Sequence, residues 1–274
     1  RDRVYALSLL FFIEKRIYNF KKNYKFAYLS DYVMKIRNYL ILIILFVNVF
    51  IFSCQKKSHK IWLHRVNDVT KAQYFQNKYA GLEIDITYVD SLHTFLILHG
   101  GGHVEPNPVT FEKWLDELDD TKDIRLWLDF KNLDNENKVP AFDELRRLCS
   151  QYKMKRKNLI VESWNASNLK IFRDSGFQVS YYIPDFKPKS VSRDELQKHT
   201  DKIRRIVSEN NLTTISGYYY QYEFMRDSFP DNDVLIWYHL NDTSLRNEYI
   251  QLANKDPKVK VLLVAEEIPD DYIN

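Results

Sequence analysis

Two histidines, three carboxylates and one lysine stand at short, regular intervals within one region of this 274-residue chain, and their types suit phosphoryl chemistry. His64 is followed by Arg65, Val66 and Asn67; Glu83 and Asp85 stand two apart; His99 precedes Gly100; Asp129 and Lys131 again stand two apart. Each falls at or near the end of a segment with strand character, where residues i and i+2 share a face. Glu83 and Asp85 are therefore expected to point one way, and Asp129 and Lys131 likewise. Charges gathered at one sheet edge are costly unless a cation and an anionic ligand offset them. The expected chemistry is metal-assisted attack on a phosphodiester.

Something must bring these residues together, and the apolar pattern after Ile61 supplies it. Short apolar runs predict strands at 61–66, 82–89, 125–130, 159–164, 178–183, 213–220, 234–240 and 259–265, with a hairpin strand at 95–98. Helical spacing predicts helices at 69–78, 110–118, 141–154, 167–174, 193–209, 222–227 and 244–254. Asp and Asn turns, Pro140 and Gly176 punctuate the units as helix stops and starts do. Eight strands alternating with helices over about 215 residues fit an α/β fold closed as a (β/α)8 TIM barrel in a single domain, 61–274. No glycine-rich G-x-G-x-x-G follows the first strand, which disfavours a dinucleotide-binding sheet. In a barrel, chemistry sits at the C-terminal strand ends, where His64, Glu83, Asp85, Asp129 and Lys131 fall.

Composition is globular, with 45% hydrophobic and 15% aromatic residues, and the net charge is +3. That basic excess is local: residues 1–38 hold nine Lys or Arg against three acids, leaving 31 basic and 34 acidic residues in the remainder. Nucleic acid is therefore not an expected partner. From Met34 a short basic region precedes an apolar run, Tyr39 to Ser53, and then Cys54. This is the order of a secretory signal, and the run is short for a membrane span. Ser53-Cys54 resembles the lipobox of bacterial lipoproteins, with Ile51 at its apolar position and Phe52 bulkier than the usual small residue. That resemblance implies lipidation of Cys54, export to the bacterial cell envelope and a membrane anchor. The alternative is an uncleaved anchor helix of residues 39–53. Residues 1–33, ahead of Met34, are expected to be an upstream extension outside the native fold, and 55–60 a polar linker. Cys149, in a run with helical spacing, is expected to be a small core residue. The protein is expected to be a monomer.

The run from His64 to Asn67, with Glu83-Ile84-Asp85, His99-Gly100 and Leu128-Asp129-Phe130-Lys131, resembles the phospholipase-C-like phosphodiesterase superfamily of barrels, which includes glycerophosphodiester phosphodiesterases and sphingomyelinase D-type enzymes. The H-x-V-N opening and the H-G pair look more like the sphingomyelinase D type. Asp129-Phe130-Lys131, with Thr110-Phe111-Glu112-Lys113-Trp114-Leu115 ahead of it, is similar to the menorin-like branch. The resemblance implies that Glu83, Asp85 and Asp129 hold one divalent ion, Mg2+ or alternatively Ca2+. It implies His64 and His99 as general acid and base in undecided order, and Lys131 on a phosphate oxygen. The implied substrate is a small-molecule or lipid phosphodiester, cleaved by water or by its own hydroxyl.

Other readings stay open for single residues. Asn67 could hold His64 or a phosphate oxygen, or equally cap the next helix. Glu162, Trp237 and His239 lie where they could face the mouth, Trp237 as pocket wall or as plain core, and His103 follows in a loop. Glu162 with Glu266 or Glu267 could form the carboxylate pair of a barrel glycoside hydrolase, a role that leaves His64, His99 and Lys131 idle. A non-catalytic envelope lipoprotein that only binds ligand is the third reading.

Overall fold

Side chains alternate between the inside and the outside of a closed barrel along every strand, and this alternation splits the apolar core in two. The computed structural model describes residues 58–99, 108–238 and 243–273, with 13–15, 37 and 39. Lys57–Asn274 is one compact unit, distinct from Arg1–Lys56. Its strands are β1 (Ile61–Leu63), β2 (Leu82–Val89), β3 (Thr94–Ile97), β4 (Leu126–Phe130), β5 (Leu159–Ser163), β6 (Gln178–Tyr182), β7 (Thr214–Tyr218), β8 (Asp233–Trp237) and β9 (Val259–Val264). Eight of them pair in parallel in the order β1-β2-β4-β5-β6-β7-β8-β9, and β9 returns to β1 with Ile61 opposite Leu262. The chain is thus a (β/α)8 barrel, with β3 added antiparallel to β2. Trp62, Trp127, Ile160, Leu235, Trp237, Val261 and Leu263 fill the lumen. The opposite faces, with Leu82, Ile84, Leu128, Val161, Ile215 and Ile236 among them, pack under the helices. Gly81 leaves room for this filling: a Cβ there would lie 2.3 Å from the Trp62 ring.

The helices follow their strands as the barrel requires. They are α1 (Val69–Phe75), α2 (Phe111–Asp116), α3 (Lys138–Gln151), α4 (Lys170–Arg173), α5 (Arg193–Glu209), α6 (Tyr222–Ser228), α7 (Thr243–Lys255) and the short α8 (Asp270–Ile273). Asp68, not Asn67, caps α1, accepting from the Lys71 backbone N–H at 2.9 Å. Thr110 caps α2 and Ser192 caps α5 through the same kind of bond. Pro140 lies inside the first turn of α3, where its missing N–H has no helical partner to lose. Cys149 on α3 is buried core, its thiol pushed up to about 12 by burial. No helix of the described residues is long and apolar enough to cross a membrane.

Several boundaries depart from the sequence expectation, and two of them have a clear local reason. The first strand stops at Leu63 rather than running to residue 66, because Arg65 turns to a φ of 53° and gives its backbone N–H to the Glu83 carboxylate at 2.6 Å. β7 stops at Tyr218 because the Gln221 side chain takes the Tyr218 N–H at 3.0 Å and closes a 3-10 turn, Tyr219–Gln221. The helix expected at 167–174 is a 3-10 turn, Ala166–Leu169, followed by α4. Most residues of the signal segment, Cys54 among them, and Gly100, His103 and His239 lie outside the described residues.

Candidate active site

The short first strand leaves the C-terminal half of β2 without a parallel neighbour on that side, and β3 fills the edge. Ile97 pairs with Ile86, and the Leu98 N–H then reaches the Asp85 carbonyl at 3.2 Å. This hands His99 to Asp85: its Nδ1 lies 3.1 Å from one carboxylate oxygen. His64 follows β1 directly and takes its register from the opposite neighbour, its N–H bonding the Val264 carbonyl at 3.0 Å. Its Nε2 lies 3.7 Å from Glu83. The loop after it is pinned from α2, where the Trp114 indole donates to the Val66 carbonyl at 3.0 Å.

Strand register does the rest. Asp85 sits opposite Asp129 across β2 and β4, and Asp129 opposite Glu162 across β4 and β5. One cleft of about 130 Å³ at the barrel mouth is lined by His64, Arg65, Glu83, Asp85, His99, Trp127, Asp129, Lys131, Glu162, Tyr182, Tyr218, Trp237 and Leu263. The structure therefore brings both imidazoles, all three carboxylates, Lys131, Glu162 and Trp237 together. Arg65 and Trp127 had no site role in the sequence reading; the signal for Trp127 was parity, since it stands two before Asp129 and so on the same inward face.

Asn67 and Lys131 both contact the acids. Asn67 was expected to hold phosphate or His64, or to cap α1; instead its amide clamps Asp85, donating from Nδ2 at 2.6 Å and accepting the Asp85 N–H at 2.9 Å. It does not line the cleft. Lys131 lies 2.6 Å from Asp85 and is hydrogen-bonded to Asp129. The glycosidase pair is not assembled. Glu162 is in the cleft, but Glu266 is paired with Arg246 at 3.1 Å and Glu267 lies exposed, 3.7 Å from Lys71.

Burial and mutual repulsion set the ionisation of the trio. Burial raises the Glu83 carboxyl well above the ordinary range, the charges of Asp85 and Asp129 add to this, and only a backbone bond and Lys131 oppose it. Burial also works against ionised Asp85, but Lys131 and the Asn67 amide outweigh it and hold that carboxyl low. Asp129 is raised by desolvation, with Lys131 pulling down and Asp85 pushing up. Burial alone would lower the Lys131 ammonium; the two carboxylates overcome it and keep it charged. With all three carboxyls ionised the cleft holds more negative charge than Lys131 balances.

A hard divalent cation fits this donor set. Glu83, Asp85 and Asp129 each offer an oxygen, and these lie within 4.8 Å of one another. Without a cation, Glu83 contributes stability that is complete below the ordinary carboxylate range and is lost as pH rises through its raised folded value. Asp85 does the reverse, contributing above the ordinary range and losing it as pH falls through its lowered value. MgCl2 is accordingly expected to raise the Tm more at about pH 8 than at about pH 5, since only the ionised trio binds it. At about a hundredfold excess over Kd the gain is about 2.7 kcal/mol, or roughly 5–10 °C for a domain of this size. A Tm unmoved by MgCl2 at both pH values contradicts the fit.

No protein-family model matches the chain, and no curated protein does. Solved structures do. A glycerophosphodiester phosphodiesterase from Parabacteroides distasonis is similar with a TM-score of 0.54, covering 78% of this chain and 94% of that one at 16% identity. A phosphodiesterase from Oleispira antarctica, solved in complex with the product sn-glycerol-3-phosphate, is similar with a TM-score of 0.51 over 75% of this chain and 92% of that one at 9% identity. Identities this low establish the shared barrel. The chain is a TIM barrel of the architecture those enzymes have, with an acidic, imidazole-bearing cleft at its mouth.

Proposed function

We propose that this chain cleaves phosphodiesters with one bound divalent cation, and that its substrate is a glycerophosphodiester. The observation that carries the reading is the convergence of His64, His99, Lys131 and the three close carboxylates on a single cleft at the C-terminal strand ends. Likeness in fold to structures described as glycerophosphodiester phosphodiesterases, and to one holding sn-glycerol-3-phosphate, supports the substrate class. Glu83, Asp85 and Asp129 would hold the cation; their hard oxygens suit Mg2+ and Ca2+ alike, and so few protein ligands, with the remaining positions left to water and phosphate, favour Mg2+. The chemistry supplied there when a cation is bound is polarisation of the phosphoryl oxygens and offset of the charge that builds on them.

The side chains divide the proton work. With Nδ1–H donated to Asp85, His99 keeps its lone pair on Nε2 and takes the proton of the attacking hydroxyl or water. His64, beside Glu83, protonates the departing alkoxide. Lys131 exchanges one of its carboxylate partners for a non-bridging phosphate oxygen. The same two proton transfers serve attack by water and attack by the substrate's own hydroxyl; a cyclic phosphate in the 31P NMR spectrum of the product marks the second. Cleavage of glycerophosphocholine by the full chain, abolished by EDTA and restored by MgCl2, tests the reading, and no cleavage by the Mg2+-loaded protein overturns it.

From residues 34–54 we also propose an exported protein anchored through lipidated Cys54. A fatty-acid label incorporated in a bacterial host and lost in Cys54→Ser is the expected result; a label that survives the substitution contradicts it.

A further inference from the structure

The barrel has a polarity that the proposed chemistry does not use: the cleft opens at one end and the chain enters at the other. Ser58, His59 and Lys60 lead into β1 and are fixed to the end of α7. The Ser58 hydroxyl donates to the Asn254 side chain at 2.6 Å, and the Lys60 ammonium donates to the Ala253 and Asp256 carbonyls at 2.8 and 2.7 Å. The His59 carbonyl accepts the Trp62 indole N–H at 3.3 Å. α7 follows β8 and leads into β9, so it runs from the mouth to the base, with Ala253 and Asn254 in its last turn. At a rise of 1.5 Å per residue, the mouth end of this helix is about 17 Å from that fixed point. Cys54 is four Cα steps from Ser58, at most about 14 Å of chain even when fully extended. A lipid on Cys54 therefore holds the base near the bilayer, and the tether is too short to bring the mouth down on it.

The charges at the two ends differ in the matching sense. The loops leading into the barrel strands, 58–60, 76–81, 117–125, 152–158, 174–177, 210–213, 229–232 and 256–258, hold nine Lys or Arg against seven acids. The described loops at the mouth, 64–68, 90–93, 98–99, 108–110, 131–137, 164–169, 183–192, 219–221, 238 and 265–269, hold four against seven, before the cleft carboxylates are counted. Anionic headgroups thus attract the base and repel the mouth. The basic residues concentrate in the turn after α3, where Lys153, Lys155 and Lys157 are exposed and no acid stands among residues 152–158. Of these three, only Lys155 is ion-paired among the described residues, to Asp123.

We infer that the base of the barrel, with the Lys153–Lys157 turn as its charged element, is a docking face for an anionic bilayer, so that the cleft opens away from the membrane. This rests on the proposed lipidation of Cys54. The cleft then draws its phosphodiesters from the water beyond the membrane surface and not from the headgroups of its own bilayer.

Protein expressed from the full chain, extracted with its lipid from bacterial membranes, tests the inference in vesicles of phosphatidylethanolamine and phosphatidylglycerol that carry a nitroxide-headgroup lipid. A thiol-reactive fluorophore is placed at the base through Asp231→Cys or at the mouth through Ser190→Cys, both exposed loop positions; Cys149 is buried and does not compete. The nitroxide is expected to quench the base label severalfold more than the mouth label. Lys153→Glu, Lys155→Glu and Lys157→Glu combined should weaken the base quenching by about twofold or more while the lipid keeps the protein on the vesicles. High NaCl should do the same to the chain without those three changes, since it screens surface charge. Equal quenching at the two positions, stronger quenching at the mouth, or base quenching indifferent to both the substitutions and salt overturns the inference. Protein that carries no lipid, or that does not float with the vesicles, overturns the anchor reading itself, and this inference with it.

Discussion

His64→Ala and His99→Ala are each expected to lower phosphodiester cleavage by about 10²–10⁴-fold, the range for loss of one general acid or base. The loss should appear in kcat, with Mg2+ affinity near the wild type, because neither imidazole belongs to the acidic trio. Folding should survive both changes. His64 follows the last residue of β1 and is fixed by its backbone bond to Val264, which alanine retains. His99 is 43% exposed and touches the structure mainly through Asp85, which keeps Asn67 and Lys131 as partners. Truncating the exposed His99 side chain costs within about 0.5 kcal/mol, and truncating His64, only 11% exposed, costs on the order of 1 kcal/mol. Far-UV circular dichroism and the Tm check the fold, and progress curves on glycerophosphocholine check the rate. Full activity in either variant overturns the acid and base assignment.

Asp129→Asn should separate stability from function in opposite directions. Asp129 and Asp85 share Lys131, and the Asp129 charge is one of the terms that raise Glu83. Neutralising it relieves repulsion in the metal-free protein, so thermal stability should hold or rise slightly. The same change removes one of three anionic oxygens, and Mg2+ affinity should fall by at least about 10–100-fold, the effect of disturbing even the groups behind a ligand. Cleavage at fixed MgCl2 should fall with it and recover in part at higher MgCl2. An unchanged Mg2+ isotherm removes Asp129 from the ligand set, and a collapse of the fold would mean that Asp129 is structural.

What made the architecture legible was the short apolar run bounded by Asp, Asn or Gly. β2 and α5 begin and end where the pattern put them, and the hairpin strand after β2 is present. Parity made the acids legible too, since Glu-x-Asp and Asp-x-Lys on strands commit each pair to one side whatever the surroundings. Other features depend on contacts that sequence spacing does not encode. Asn67 and Asp68 are adjacent and both are cap formers; only the fold shows that Asp68 takes the helix and leaves Asn67 to Asp85. The hydroxyl that holds Glu162 comes from Ser216, 54 positions away. Barrel strands are buried on both faces, so Trp62 and Trp127 in the lumen read no differently from Leu63 and Leu128 under the helices. Arg65 ends β1 through a positive φ set by Glu83, a residue outside the strand. That last contact also explains why His64 stands at the rim and not inside the sheet.

The central claim is that one divalent ion sits among Glu83, Asp85 and Asp129, and crystals of the full chain soaked in MnCl2 test it most directly, since Mn2+ takes carboxylate sites of the Mg2+ type. The predicted result is a single strong anomalous peak bounded by those three carboxylates, with the Lys131 ammonium moved off at least one of Asp85 and Asp129. An anomalous map with no peak there, and Lys131 still bridging the two aspartates, would contradict it.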